Sequence, residues 1–293
     1  MQIEKSQGRP AQGAAHLWDK SFLTAFHRYL LSKERAAATV QKYLRAAGEF
    51  AAWLGERPVC GETAAAWKAA LLSRGQRAAT VNGKLAALNA LFGMLGWHDC
   101  RVQALRVQRR AFCDDARELT YAEYLRLVRT ARKKGDERLA LLLETIGGTG
   151  IRVSEVRAVT VEALRRGKAE ISLKGKIRTV LLPGKLCRKL MAYAARKKIA
   201  SGAVFRTRSG SPMSRKWIWE KMKALSLSAG VAPGKVFPHN LRHLFARTFY
   251  HATHDIAQLA DVLGHSSLST TRIYLISTGT EHRRTLDRLG FVS

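Results

Sequence analysis

Between residues 18 and 106 the apolar residues recur at helical spacing, and this period confines that part of the chain to a bundle of four or five helices. The successive stripes are Phe22, Phe26, Tyr29 and Leu30; Val40, Tyr43, Leu44, Phe50 and Leu54; and Val81, Leu85, Leu88, Leu91 and Leu95. Turn signals separate them, with Gly55-Glu-Arg-Pro58 after the second helix and Ser73-Arg-Gly75 before the segment containing Val81. Residues 1–16 carry no hydrophobic period and read as a flexible basic lead-in, so order is expected from near Trp18.

The pattern fails across 107–117, where Arg109, Arg110, Asp114 and Asp115 crowd a stretch with little to bury, and an interdomain linker is expected there. A second domain, 118–293, opens with Thr120-Tyr-Ala-Glu123, a capping box in which the Thr hydroxyl and the Glu carboxylate satisfy each other's orphan backbone N–H groups. A helix ending near Ile146 is followed by Gly147-Gly-Thr-Gly150, read as a tight turn, and by a short helix around Arg152. The β signal comes next: 169–173 and 178–182, joined by the basic tip Lys174-Gly175-Lys176. Further helices are expected over 186–197, 215–227, 239–253, 256–263 and 268–275. The fold class is therefore mainly α: a helical bundle over 17–106, then a mostly helical domain with one small β-sheet.

A chain of 293 residues suits two domains. Its 51 Lys and Arg against 22 Asp and Glu leave a formal charge of +29, spread over both halves, which points to a polyanionic partner in contact with both. Nucleic acid leads, although ribosomal and membrane-surface proteins are also basic. Cys60, Cys100, Cys113 and Cys187 show no C-x-x-C pairing and read as idle or buried thiols of a reducing cytoplasm. The first residues lack an apolar core, and the longest apolar stretch, 139–146, is interrupted by Glu144, so neither secretion nor membrane spanning is expected.

Chemistry is carried by five distant segments: Gly150-Ile-Arg152-Val-Ser-Glu155, Lys174-Gly-Lys176, His239-Asn-Leu-Arg242-His243, Leu263-Gly-His265 and Thr271-Arg-Ile-Tyr274. In this order they resemble the signature of tyrosine recombinases of the phage integrase family, which runs Arg, Lys, His-x-x-Arg, His or Trp, Tyr. The segment from Asp261 to Tyr274 resembles the family's nucleophile segment almost throughout, and Ala38-Thr-Val-Gln-Lys-Tyr43 with Ala79-Thr-Val-Asn82 resembles its core-binding domain. The likeness covers roughly 18–290 and is nearest to compact Xer-like or Cre-like members without an arm-binding domain.

The residue types suit the reaction that the resemblance implies. The transition state of phosphodiester cleavage concentrates negative charge on non-bridging oxygens, and fixed guanidinium groups meet it well. Arg152 and Arg242 are the candidate clamp. His239, three residues before Arg242, shares its helix face and is assigned phosphate bonding and acid-base assistance. His265 is expected to donate to a non-bridging oxygen. A phenol is mostly protonated at neutral pH, so Tyr274 as nucleophile needs the surrounding positive field and a base. A lysine on the hairpin tip, Lys174 or its rival Lys176, would protonate the departing 5′ oxygen. The family likeness implies a 3′-phosphotyrosyl intermediate and rejoining without ATP, cofactor or metal. Its partners would be double-stranded DNA sites, clasped by two domains as a C-shaped clamp. Four protomers would assemble around two sites, with 275–293 packing on a neighbour or folding back, in a nucleoid-associated cytoplasmic protein.

Blander readings apply to single residues. Arg152 three residues before Glu155 suits a simple ion pair. His239 and His243 have zinc-compatible spacing, yet position 240 is Asn and no third ligand is evident, so His243 is taken as structural. Trp217 and Trp219 read as core or backbone neighbours rather than a base-stacking platform. Two other functions share the fold or the chemistry: a type IB topoisomerase-like nicking-closing enzyme, and a non-catalytic DNA-binding regulator.

Overall fold

A computed structural model describes residues 15–107, 117–173, 176–207, 209–265, 267–275 and 287–288. The chain divides into two compact units, Met1–Arg109 and Arg110–Ser293. The linker expected over 107–117 lies almost wholly outside the described residues, as does most of the 275–293 segment expected to pack on a neighbour or fold back.

The first unit packs α1 (Ser21–Ser32), α2 (Ala37–Leu54), α3 (Gly61–Ser73) and α4 (Ala78–Leu95). The stripes read from sequence close on one another: Phe26, Leu30, Phe50, Leu54, Leu85, Leu88 and Leu91 are all buried, with Trp67 and Phe92 beside them. Phe50 forms the aromatic centre, 5.2 Å from the Trp67 ring and 6.0 Å from the Phe92 ring, both edge-on. Two residues before Trp18, His16 is already tied to the bundle, pairing with Val59 through both backbone bonds. The chain leaving α4 is pinned by two asparagines on that helix. Asn82 donates to the Leu105 carbonyl at 2.9 Å and accepts from its N–H at 2.7 Å, and Asn89 clasps Val102 in the same two-way manner.

In the second unit, the Thr120–Glu123 capping box opens α5 (Tyr121–Lys133), with Glu123 N–H on the Thr120 hydroxyl at 3.2 Å. α6 (Glu137–Thr149) runs three residues beyond the expected end. Gly147 and Gly148 are helical, and only Gly150 turns left-handed, φ +62°. No helix forms around Arg152 itself; a short 3₁₀ turn follows at Val156–Ala158. α7 (Val161–Arg166) leads to the hairpin of β1 (Lys168–Leu173) and β2 (Lys176–Leu181), in a register that sets Lys168 opposite Leu181 and Leu173 opposite Lys176. Lys176 is thus a strand residue, leaving a two-residue connection where a three-residue tip was expected.

The remaining helices are α8 (Gly184–Arg196), α9 (Arg215–Ser228), α10 (Pro238–Thr253), α11 (Ile256–Leu263) and α12 (Leu268–Arg272). α12 gives way to a 3₁₀ turn at Ile273–Leu275 rather than continuing as one α-helix. Pro238 at the first helical position starts α10 with its φ already suitable, and Asp255 caps α11 by accepting from the Ala257 and Gln258 N–H groups. Leu127, Val128, Leu142, Ile146, Leu190, Ile218, Met222 and Leu241 form the core of this unit. No described helix is long and apolar enough to cross a membrane.

Candidate active site

The site is built around Arg242, whose side chain is 1% exposed. α10 carries it inward one turn from the helix start, and its donors reach three separate chain segments. Nη1 donates to the Gly150 carbonyl, Nη2 to the Leu263 carbonyl at 2.9 Å, and Nε faces the Tyr274 hydroxyl at 3.4 Å. Gly150 admits this closure because a Cβ there would stand 2.5 Å from the Phe245 ring. Burial, before any other cause, lowers the proton affinity of Arg242.

His265 follows the left-handed Gly264 that ends α11. Its Nε2 lies 2.9 Å from Arg242 Nη2 and its Nδ1 lies 2.9 Å from the Thr271 hydroxyl. A guanidinium has only donors, so Nε2 accepts and the ring proton sits on Nδ1, given to Thr271. Burial, then Arg242 and Arg152, hold His265 down to about 4. The ring is therefore neutral at pH 7.

Tyr274, 6% exposed, is enclosed by rings: His265 stacked at 5.6 Å, His239 at 5.8 Å and His243 at 4.4 Å. His243, read from sequence as structural, is the nearest of the three. Burial, with His239 and Arg242 adding to it, holds His243 down to about 4, and His239 is lowered by burial and then by Arg242 and Arg152.

Arg152 lies close enough to depress the proton affinities of His239, His265 and Arg242. Its own guanidinium bonds Glu155 Oε1 at 2.9 Å, so the plain ion pair foreseen for it does form. Glu155, 5% exposed, also faces a second cation, Arg178 on β2, at 3.5 Å. Arg178 went unnoticed in the sequence. In the folded strand Arg178 and Val180 face inward while Ile177, 78% exposed, and Leu181, 71% exposed, face out, and nothing in the strand's own sequence selects that face. Of the six residues expected to share a site, Arg152, His239, Arg242, His265 and Tyr274 are brought together. Lys174 lies outside the described residues, and only the backbone of Lys176 is described.

The arrangement holds three guanidinium groups against one carboxylate around a buried phenol, which suits the binding of a single phosphodiester and in-line attack on it. Elsewhere, in the first unit, His16, Asp99 and Cys100 offer ligand atoms within 4.8 Å of one another. Burial pushes the Cys100 thiol up to about 11, which opposes the thiolate a metal would need.

Residues 117–280 match the family model described as the phage integrase family. The chain belongs to this family of tyrosine recombinases. Tyrosine recombinase XerA of Pyrococcus furiosus is 29% identical over 91% of this chain and 93% of its own length. Tyrosine recombinase XerC of Erythrobacter litoralis is 29% identical over 84% of each chain. Among solved structures, the XerH site-specific recombinase in a post-cleavage complex with a palindromic difH substrate has a similar fold. It has a TM-score of 0.72 at 17% identity, with 93% of this chain and 99% of that one covered. The lambda integrase tetramer on a Holliday junction gives 0.69 at 18% identity, over 89% of this chain and 78% of that one.

Proposed function

We propose that the protein is a site-specific DNA recombinase that cuts and rejoins duplex DNA through Tyr274. The observation that carries the proposal is the Tyr274 hydroxyl facing the buried Arg242 guanidinium at 3.4 Å, inside a ring of neutral histidines. The Tyr274 oxygen attacks phosphorus and the bond to the 5′ oxygen breaks, leaving a 3′-phosphotyrosyl ester and a 5′ hydroxyl. Arg152 and Arg242 hold the non-bridging oxygens. His239, neutral and beside Tyr274, accepts the phenolic proton. Lys174, or Lys176 next to it, supplies the proton to the leaving oxygen. His265 holds the Arg242 edge of the cradle, and it becomes a donor to phosphate once its proton moves to Nε2. Rejoining reverses these steps with a 5′ hydroxyl from a partner duplex.

The helical bundle over 17–106 contacts the DNA backbone as a core-type binding domain, and 118–293 is the catalytic domain. Four protomers assemble on two sites, with the C-terminal segment packing on a neighbour. The work is done on DNA in the cytoplasm, at the nucleoid. Phosphate contacts dominate affinity, so raising salt from 50 to 200 mM weakens duplex binding by on the order of 10³-fold.

A nicked suicide duplex tests the chemistry. Wild type should give a covalent protein–DNA product and Tyr274→Phe none, with duplex binding retained by both. Two marked duplexes should then yield exchanged strands. Binding without covalent product from wild type would sink the proposal, and relaxation of supercoils with no exchanged product would confine it to nicking and closing.

A further inference from the structure

Glu155 is a buried carboxylate shared between two arginines. Oε1 accepts from Arg152 Nη1 at 2.9 Å; Oε2 accepts the Arg152 backbone N–H at 3.0 Å and stands 3.5 Å from Arg178 Nη1. Arg178 is the anomalous member. Its side chain is 12% exposed, and Nε, Nη1 and Nη2 are all buried without a hydrogen bond, the contact to Glu155 being an ion pair only. Buried polar groups that stay unbonded are rare, and a guanidinium has five N–H bonds to place.

Its position is enforced by the fold. The Arg178 Cδ occupies the space that a Cβ on Gly264 would need, 2.1 Å away, so the stem lies directly against the turn between α11 and His265. Burial, with Arg242 and Arg152 as further cations nearby, pulls Arg178 down to about 10, which still leaves it charged at neutral pH. Three like charges are thereby gathered around one carboxylate.

We propose that Arg178 is a positioning residue: it receives Glu155 when Arg152 turns from that carboxylate to the scissile phosphate. The inference rests on the recombinase reading of the site. An Arg152 that moved to phosphate with no second cation at hand would leave Glu155 buried and short of a counter-charge, a strongly unfavourable state. Arg178 removes that obstacle. Its unbonded Nη1 is already 3.5 Å from Oε2 and needs only a small rotation to donate. The ion pair at Glu155 is then exchanged rather than broken, and Arg152 is released to the substrate.

The test is single-turnover covalent trapping on the nicked suicide duplex, with duplex affinity and thermal unfolding measured on the same preparations. Arg178→Met should slow trapping at saturating DNA by about tenfold, the scale of one charged hydrogen bond, while half-saturation changes by less than about threefold. Arg178→Lys should recover most of the rate. In a Glu155→Gln background, Arg178→Met should bring no further loss, because the neutral amide no longer holds Arg152. Trapping by Arg178→Met at the wild-type rate would overturn the proposal, as would a full further loss in the Glu155→Gln background. If Arg178→Met fails to fold, Arg178→Gln, made alone and in the Glu155→Gln background, decides by the same comparison. Failure of wild type to trap at all would instead remove the recombinase reading, and this inference with it.

Discussion

Nε of Arg242 faces the Tyr274 hydroxyl at 3.4 Å, while the other nitrogens of the same guanidinium bind the carbonyls of Gly150 and Leu263. One side chain thus serves the fold and the chemistry together. Arg242→Ala should lower the unfolding free energy by about 3 kcal/mol or more, since two buried carbonyls lose charged donors, and it should also abolish covalent trapping. Urea unfolding and suicide-substrate trapping measure the two losses; a variant as stable as wild type would separate roles that the geometry joins.

Gly150→Ala should be harmful for two reasons. Position 150 has φ +62°, and the new methyl would meet the Phe245 ring at 2.5 Å. A loss of about 1–3 kcal/mol is expected from the backbone conformation alone, read as a fall in the thermal midpoint. Because the Gly150 carbonyl holds Arg242, trapping should fall as well. Unchanged trapping at a lowered midpoint would show that this carbonyl does not position the cradle.

Thr271 is fully buried and accepts the Nδ1 proton of His265 at 2.9 Å. Thr271→Val keeps the shape and removes the acceptor, so His265 loses the bond that fixes its tautomer. Trapping should slow by about tenfold, and Thr271→Ser should restore it. Equal rates for Val and Ser would remove Thr271 from the site.

Acid should destabilise the second unit in a defined window. His243 and His265 are both held down to about 4, chiefly by burial, against about 6.5 in an unfolded chain. Between those values the unfolded chain binds more protons than the folded one. Stability is therefore complete above pH about 6.5 and declines as pH falls toward 4. Urea midpoints of His243→Gln should fall less than those of wild type over this interval. Parallel curves would show that His243 does not contribute.

How far the sequence reached depended on how local each signal was. The Thr120–Glu123 capping box and the start of α11 after Asp255 are written in adjacent residues, and both are found where expected. The run Gly147-Gly-Thr-Gly150 reads as a turn, but in the structure Gly147 and Gly148 continue α6 and the turn falls to Gly150. Arg178 was hidden for a different reason. The strand reads Ile177-Arg-Thr-Val180-Leu181-Leu182, so apolar residues fall on both faces and the pattern does not choose one. Contact with Gly264 makes that choice, and such a contact between distant segments has no signature in either segment. The likeness to the integrase signature located Arg152, His239, Arg242, His265 and Tyr274, whereas the shared Glu155 and the tautomer of His265 follow only from distances.

The bonds from Arg242 to Gly150 and Leu263 do not involve the residues beyond Gly264, while the stretch from His265 to Tyr274 meets that anchor through its side chains. The tail bearing the phenol is therefore tied to the cationic seat twice, once through the long Arg242–Tyr274 contact and once through the relay from Arg242 to His265 to Thr271. Loosening either tether should unsettle the aim of the hydroxyl while leaving the two carbonyl anchors of Arg242 in place.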